Sequence, residues 1–168
     1  MKIIKASNGQ DIQVDDCYYE YLNQFTWTST HYGYVMSRMG NSCQSSSGVY
    51  MHLWVAAQEN LDCSHQIDHK DRNPRNNQSS NLRSATQSQN QANSVRPLGN
   101  YSKYRGVTWH KISKKWFAQL SVNNKRVLRR RFATEIEAAK AYDKAAFEHF
   151  GEFATLNFPE DYAHLLGN

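Results

Sequence analysis

Short runs of apolar residues alternate with polar turn residues over roughly the first fifty positions, a pattern that is typical of strands. Asn8-Gly9 separates the first two runs, and this dipeptide between apolar segments favours a tight hairpin turn. The Ser-rich segment 41–48 interrupts the pattern and predicts a loop. We therefore predict a β-rich N-terminal region that contains the following runs: Ile3-Ile4, Ile12-x-Val14, Phe25-x-Trp27 and Tyr32-x-Tyr34-x-Met36.

A stricter alternation appears in the C-terminal part of the chain. Residues 115–122 carry large or apolar side chains at every second position, so one face of a strand would pack and the other would face water. Residues 104–109 and 126–132 read as two further strands, and Asn123-Asn124 reads as a tight turn. The packing face of the central strand is predicted to consist of Trp116, Ala118, Leu120 and Val122.

A helix is predicted to follow this sheet. Thr134 and Glu137 have the spacing of a capping box, and Gly151 is a suitable stop after Phe150. A sheet followed by an amphipathic helix would form a complete small core. The apolar residues at helical spacing are Ile136, Ala139, Tyr142 and Ala146.

Between these two regions lies a polar segment, residues 66–90, that carries candidate chemistry. Asp68 and His69 are adjacent, Asn81 follows His69 after twelve positions, and Asn90 follows after nine more. A histidine can accept a proton from water near neutral pH. Carboxylate and amide oxygens suit a hard divalent cation such as Mg²⁺. Together these groups are what metal-assisted hydrolysis of a phosphodiester requires.

The same segment resembles the HNH (ββα-metal) nuclease family. The resemblance covers residues 50–93 and rests on the order and spacing of the four residues above and on two flanking runs. The runs are Asp-His-x-Asp-x-Asn-Pro-x-Asn-Asn, which starts at Asp68, and Ser-Asn-Leu-Arg, which ends at Arg83. The resemblance implies a strand that ends at His69, a loop over 71–80, a strand from Leu82 and a helix from about residue 86.

The resemblance also implies roles for the four residues. His69 would be the general base that deprotonates water, and Asp68 and Asn90 would hold one Mg²⁺ (or Mn²⁺) ion. Asn81 would have a structural role in the catalytic centre, pinning the loop and orienting His69. Four basic residues around the motif are candidates for phosphate contacts, although a solvated surface charge is an equally good interpretation of each one: Lys70, Arg72, Arg75 and Arg83.

The C-terminal region resembles the Apetala-two/ethylene-response-factor DNA-binding domains. The resemblance covers residues 104–159 and rests on Tyr-Arg-Gly-Val, on the Ala- and Tyr-rich helix pattern and on a final Leu-Asn-Phe-Pro. It implies that the three-stranded sheet lies in the major groove of DNA. The chain departs from the plant pattern at Thr108, Ser121 and Leu128, so the plant target sequence should not transfer. The expected DNA contacts are Arg105, Gln119, Arg126, Trp109 and Arg130.

Charge is distributed unevenly along the 168 residues, whose overall net charge is +5. Residues 1–95 contain seven Lys/Arg and eight Asp/Glu, whereas residues 96–168 contain thirteen and seven. Residues 96–131 contain eleven basic residues and no acidic one. A tract with charge of one sign is the electrostatic footprint expected for binding a polyanion, although a solvated basic face is the alternative interpretation.

These patterns predict an α+β protein in several parts. Residues 1–95 form a β-rich scaffold with the HNH finger, 96–103 a linker, 104–159 the DNA-binding domain and 160–168 a C-terminal tail. No apolar run is long enough to span a membrane, and the N-terminus does not resemble a secretory signal, so an intracellular, cytoplasmic location is expected. The three cysteines contain no Cys-x-x-Cys pair, which disfavours zinc ligation.

The sequence therefore predicts a site-specific DNA endonuclease of the homing type, phage-like in style, that uses His69 as its base. Double-stranded DNA is the expected partner, and no protein partner is implied. Two alternatives remain open at this point. One is a sequence-specific DNA-binding regulator with an inactive HNH finger, and the other is a restriction-type nuclease.

Overall fold

The structure is a computed structural model that describes residues 1–37, 48–94 and 102–165. The chain forms two compact units, Met1–Thr86 and Gln87–Asn168. Most of the predicted Ser-rich loop (41–48), most of the predicted linker (96–103) and the last three residues of the predicted tail lie outside the described residues. No helix in the described ranges is both long and apolar enough to cross a membrane.

The described residues of the first unit form three small antiparallel sheets and two α-helices, so its mixed α and β composition agrees with the expectation from sequence. The Asn8-Gly9 turn is formed as predicted, with Gly9 at a φ of 81°. Strands and helices of this unit are β1 (Lys2–Lys5), β2 (Asp11–Val14), α1 (Asp16–Leu22), β3 (Thr28–Ser29), β4 (Val35–Ser37), β5 (Val49–Tyr50), α2 (Met51–Gln58), β6 (Gln66–His69) and β7 (Leu82–Ala85).

The N-terminal hairpin supports the loop that joins β6 to β7. The backbone N–H of Gln13 donates to the Arg75 carbonyl over 2.9 Å, and the Asn77 N–H donates to the Gln13 carbonyl over 2.8 Å. The Asp15 carboxylate accepts a 2.6 Å hydrogen bond from the N–H of Ser79. These bonds, made by Gln13 and Asp15, hold the loop from outside the motif.

The apolar core of the first unit continues into the strand that carries the motif. Ile12, Val14 and Trp27 are fully buried, and Ile67 of β6 belongs to the same cluster. Because side chains alternate along a strand, the burial of Ile67 also sets which way its neighbours Asp68 and His69 point. The core therefore determines the orientation of the candidate catalytic pair.

The second unit contains a three-stranded antiparallel sheet and a long helix, as the alternation pattern predicts. The sheet order is β10-β9-β8, and Asn123 and Asn124 form the predicted tight turn at φ values of 49° and 61°. Its helices and strands are α3 (Gln87–Asn93), β8 (Val107–His110), β9 (Lys115–Val122), β10 (Lys125–Phe132) and α4 (Glu135–Phe150), followed by short 3₁₀ turns over Gly151–Phe153 and Pro159–Leu165.

Helix α4 begins and ends as its sequence indicates. Thr134 and Glu137 form the predicted capping box, with bonds of 3.2 and 3.1 Å, and Gly151 ends the helix at a φ of 52°. The fully buried Asp143 accepts hydrogen bonds from Asn157 and from the N–H of Phe158, which attach the chain after α4 to the helix. Burial raises the pKa of the Asp143 carboxyl, and these hydrogen bonds oppose that rise.

The boundary between the two units differs from the boundary drawn on sequence. Residues 1–95 are expected to form one domain, but α3 groups with the C-terminal unit. Ala92 of α3 belongs to the second core, which also contains Val107 and Ala139. The hydroxyl of Thr155 donates to the Asn93 carbonyl over 3.2 Å. Packing of this short helix, rather than the position of the Pro- and Gly-containing segment, sets the division.

Candidate active site and nucleic-acid interface

The strand pair β6–β7 carries the candidate catalytic residues of the first unit. Asp68 is paired with Arg83 and His69 with Leu82 in the antiparallel register. Both members of the acid–imidazole pair are buried, with 5% of Asp68 and 4% of His69 exposed. The pair thus occupies the end of a strand, in a site that the protein shields from bulk water.

His69 is held by polar and aromatic neighbours. Its Nε2 atom lies 3.5 Å from the Asn77 amide oxygen, which accepts when this ring nitrogen carries the proton. The Tyr34 and His52 rings lie 6.1 and 5.3 Å away, between ring centroids. Burial lowers the pKa of His69, and the Asn77, Asp71 and Asp68 side chains oppose this. The neutral ring that a general base requires is therefore favoured.

His52 is a second buried imidazole beside the first. It lies on α2 with 8% of its surface exposed, and its Nδ1 has no hydrogen-bond partner among the described residues. Burial, with the nearby His69 adding to the effect, lowers the pKa of His52 to about 4. The ring is therefore neutral at neutral pH, and it packs against His69 without placing a positive charge beside it. Nothing in the sequence pattern brings His52 next to His69.

Asn81 connects the two ends of the loop between β6 and β7. Its amide nitrogen donates to an Asp71 carboxylate oxygen over 2.9 Å and to the Asn76 carbonyl over 2.8 Å. Its amide oxygen accepts from the Asp71 N–H over 3.1 Å. Asp71 also accepts from the N–H of Asn73 and from the Asn76 side chain. Burial raises the pKa of Asp71, but these hydrogen bonds and the charge of His69 outweigh it, and the net shift is downward.

Asp68 and Arg83 form an ion pair, so the candidate phosphate contact Arg83 has a partner within the motif. The Arg83 Nε donates to an Asp68 carboxylate oxygen over 3.0 Å, with side-chain exposures of 10% and 5%. The Nε of Arg83 is therefore engaged with a carboxylate of the motif. In the structure Arg83 neutralises the candidate metal ligand, because cross-strand pairing in β6–β7 places the two side chains opposite each other.

The donor set suits a hard cation but is small. No group of three or more His, Cys, Asp or Glu side chains that could hold a metal ion occurs within residues 1–37, 48–94 and 102–165. Asp68 supplies one carboxylate, while the Asn81 amide is committed to the loop. A cation held by so few protein oxygens would keep several waters, which is the usual behaviour of Mg²⁺ in proteins. A carboxylate oxygen is a ligand of the kind that hard divalent cations prefer.

Asn90, the fourth motif residue, lies half-buried in α3 of the second unit. Three basic residues that are expected to contact phosphate lie around the motif loop in the first unit. Arg72 is exposed at a φ of 63°, and Arg75 is half-buried. Lys70 is exposed, and its Nζ donates to the Ser80 carbonyl over 2.8 Å.

The sheet of the second unit has one face against α4 and one open face. Pairing in register places the buried Ala118 and Leu120 on the helix side and Gln119 on the open side. The open face carries Thr108, His110, Lys115, Phe117, Gln119, Ser121, Arg126, Arg129 and Arg131. The guanidinium groups of Arg129 and Arg131 lie 5.7 and 5.3 Å from the Phe117 ring centroid.

Two residues expected to contact DNA lie on the other face. Arg130 is paired with the fully buried Ala118, so its side chain emerges on the helix side, near the Phe132 ring. Trp109 is paired with Trp116 on that same side, and the two ring centroids are 5.0 Å apart. For Arg130 the cause is a shift in register between Arg126 and Leu128, which changes the face of every later residue of β10.

Arg105 is also placed differently from the expectation. Its guanidinium donates to the Tyr142 hydroxyl from Nε over 3.0 Å, to the Gln91 carbonyl from Nη2 over 3.0 Å, and to the Ser94 carbonyl from Nη1. All three nitrogens are therefore engaged within the second unit. The sequence pattern that suggests a DNA contact could not show this, because the carbonyls belong to residues before the resemblance begins.

Two family models match the chain. One described as an AP2 domain matches residues 102–152, and one described as an HNH endonuclease matches residues 49–92. These matches confirm the expected combination of an HNH part and an AP2 part, and they support DNA as a partner. The HNH match continues past Thr86 into α3, so it crosses the boundary between the two units.

Curated relatives are similar to the C-terminal region. The Dehydration-responsive element-binding protein 2E of Arabidopsis thaliana is 41% identical over 69 residues, which covers 35% of this chain and 28% of that protein. The APETALA2-like protein 2 of Oryza sativa subsp. japonica is 44% identical over 59 residues, covering 34% and 13%. The chain thus spans less than a third of the length of these relatives. No solved structure matches the chain.

Proposed function

We propose that this protein is a metal-dependent DNA endonuclease of the homing type, which binds duplex DNA through the open face of its C-terminal sheet. The observation that carries the proposal is the environment of His69. This imidazole is buried beside a carboxylate, its neutral form is favoured, and its Nε2 lies next to the Asn77 amide oxygen. The matches to an HNH endonuclease and to an AP2 domain support the two halves of the proposal.

The residues of the chain would divide the work as follows. His69 accepts a proton from water, and the water oxygen attacks phosphorus while the bond to the leaving oxygen breaks and its electron pair stays on that oxygen. Asn81 and Asp71 hold the loop, and Asn77 orients the imidazole. Asp68 and Asn90 would hold one Mg²⁺ or Mn²⁺ ion, which supplies charge stabilisation at the scissile phosphate when bound.

The test is cleavage of a plasmid library that carries random inserts, with Mg²⁺ or Mn²⁺, followed by sequencing of the ends. We expect His69→Ala to cut at least about 10²-fold more slowly, because general-base catalysis contributes about 10²–10⁴-fold. His65→Ala, which changes an exposed histidine a few positions away, is the matched control and should cut like the wild type. Retention of wild-type cleavage by His69→Ala would remove the assigned base.

One observation favours a second candidate, a DNA-binding regulator with an inactive nuclease finger. The buried Arg83 guanidinium occupies a carboxylate oxygen of Asp68 that a metal ion would otherwise bind. On this hypothesis the wild-type chain selects a sequence from the library in a binding assay but leaves the DNA intact with every divalent metal. Cleavage that depends on His69 excludes it.

A further inference from the structure

A groove of about 820 Å³, lined by residues of the second unit, continues from the open face of the sheet. Four residues belong both to the groove lining and to the open face: Thr108, Gln119, Ser121 and Arg126. The lining also includes residues of helix α3, which precedes the AP2 match along the chain. The face proposed to bind DNA is therefore extended by an element that the AP2 resemblance does not include.

The groove lies beside the part of β9 that β8 does not cover. Within the described residues, the pairing of β8 with β9 begins at Val107 and Ala118, whereas β9 continues to Val122 and pairs there only with β10. One further hydrogen bond, from the Gln119 N–H to the Gly106 carbonyl over 2.9 Å, closes this end of the β8–β9 contact. The space beyond that bond is not filled by a third strand, and α3 contributes to its lining.

Helix α3 presents two amide side chains at this groove. Gln87 and Gln91 both line it and are both exposed. They are four positions apart, so they lie on one face of the helix. The other side of α3 is held by the second core, which contains Ala92, and by Arg105, which donates to the Gln91 carbonyl over 3.0 Å. The two amides are thus carried on a helix that the unit fixes in place.

The charge of the groove suits an anionic ligand. Among the described residues that line it, the charged side chains are Arg105 and Arg126, and none is acidic. A guanidinium has five N–H donors. Arg105 uses three of them for Tyr142, Gln91 and Ser94 within the described residues, which leaves its charge and two donors at the groove. Guanidinium, amide and hydroxyl groups are the side-chain groups that contact phosphate oxygens of DNA.

We propose that this groove is a second DNA contact of the C-terminal unit, in which Gln87 and Gln91 bind the sugar–phosphate backbone beside the charges of Arg105 and Arg126. The inference rests on the proposed function, which places duplex DNA on the adjoining open face. It assigns to α3 a contact with DNA that neither family resemblance implies. Because phosphate contacts carry no sequence information, the groove strengthens binding to every duplex to a similar extent.

The first experiment removes the two amides from the full-length protein. Affinity is measured in EDTA for a duplex selected from the random library by binding and for a duplex of scrambled sequence. Gln87→Ala/Gln91→Ala should bind both duplexes about tenfold more weakly, the scale of a lost hydrogen bond to a charged group. Alanine has the highest helix propensity, so α3 should persist, and hydrogen exchange of its amides verifies this.

The second experiment changes the charge at the groove without removing a contact of the fold. Gln87→Lys should make the slope of log affinity against log salt concentration steeper by about 0.9, the value for one added phosphate contact. Gln87→Glu should weaken binding to both duplexes. The matched controls are Glu148→Gln and Lys144→Gln, which change the net charge by the same amounts at exposed positions of α4 and should keep the wild-type slope.

Three results would overturn the inference. They are wild-type affinity in the double alanine variant with α3 intact, equal slopes for Gln87→Lys and Glu148→Gln, and a loss confined to the selected duplex. If the alanine variant loses α3, the opposite effects of Gln87→Lys and Gln87→Glu decide the matter.

A separate variant distinguishes this inference from the proposed function. Arg129 lies on the open face and is not among the residues that line the groove. Weaker binding by Arg129→Gln together with unchanged binding by the groove variants would leave the proposed DNA-binding face standing and overturn the role of α3. A wild-type protein that binds neither duplex would overturn both.

Discussion

At the residue scale, the low pKa of His52 should make the stability of the first unit depend on pH. Its pKa is about 4 in the folded protein against 6.5 for an exposed histidine, so the unfolded chain binds more protons between these values. Stability from this group is complete above pH 6.5 and is lost as pH falls towards 4. A difference of this size corresponds to a free energy of unfolding on the order of 3 kcal/mol.

The measurement is hydrogen exchange of α2 amides under increasing urea, at pH 7.5 and pH 5.0, after correction for intrinsic exchange. We expect the first unit to lose stability at pH 5.0, and His52→Gln to lose much less of it on the same change. His65→Gln alters an exposed histidine and should retain the wild-type difference. An identical pH response in all three proteins would show that His52 is already charged in the fold.

The types of residue in a sequence indicate which chemistry a site could perform more reliably than they indicate which side chains will be in contact. Asp68, His69 and Asn81 can be selected from the sequence because their types and spacing are distinctive. Arg83 and Arg105 can also be selected from the sequence, as candidate DNA contacts. In the structure Arg83 pairs with Asp68, and Arg105 donates to carbonyls near the end of α3. Which partner an arginine finds depends on cross-strand register and on the docking of a helix, and local pattern contains neither.

At the level of elements, Gly106 provides the backbone conformation that the chain needs immediately before β8. It has a φ of +73°, and a Cβ added there would overlap the ring of Tyr142. Gly106→Ala therefore combines left-handed backbone strain with overpacking, and we expect a loss of roughly 2–5 kcal/mol in the free energy of unfolding. Gly9→Ala is the matched control, because its φ is +81° but its Cβ would meet nothing within 4 Å. Thermal unfolding of each variant checks the prediction.

Gly9→Ala should cost only the backbone strain, about 1–2 kcal/mol. Equal losses in the two variants would mean that the Tyr142 ring moves aside and that the packing against α4 is loose. The comparison thus separates the conformational requirement at a turn from the steric requirement of a packed sheet–helix contact.

Elements whose signals are local are the ones that sequence predicts well. Alternation in β9, the Asn123-Asn124 turn and the Thr134–Glu137 capping box all depend on residues a few positions apart, and all are present. The irregularity between Arg126 and Leu128 has no comparable signal. It exchanges the faces of Arg129 and Arg130, so Arg129 and Arg131, rather than Arg130, lie on the open face.

At the level of the whole molecule, the unit boundary shows the limit of composition as a guide. Residues 96–103 contain Pro97 and Gly99 and read as a linker, yet packing divides the chain between Thr86 and Gln87. Composition indicates where a chain can form a turn or a linker. It does not report to which core a short polar helix belongs, and for α3 that depends on Ala92 and on the carbonyls bound by Arg105.

The charge of the second unit predicts how the whole protein responds to salt. If about five phosphates are neutralised, the slope of log affinity against log salt concentration should be near −4 to −5. Replacing Arg126, Arg129 and Arg131 of the open face by Gln should make the slope less steep by about 2 to 3, since each lost phosphate contact removes about 0.9. DNA binding is measured in EDTA at several salt concentrations, so that cleavage does not interfere.

The control removes the same charge from the opposite side of the same unit. Arg130 emerges on the helix side of β10, and Lys140 and Lys144 are exposed on α4, so replacing all three by Gln lowers the net charge equally. We expect this variant to keep the wild-type slope, because direct counterion release requires contact whereas distant charges are screened within about 10 Å. Equal changes in both variants would mean that net charge, rather than the open face of the sheet, determines DNA binding.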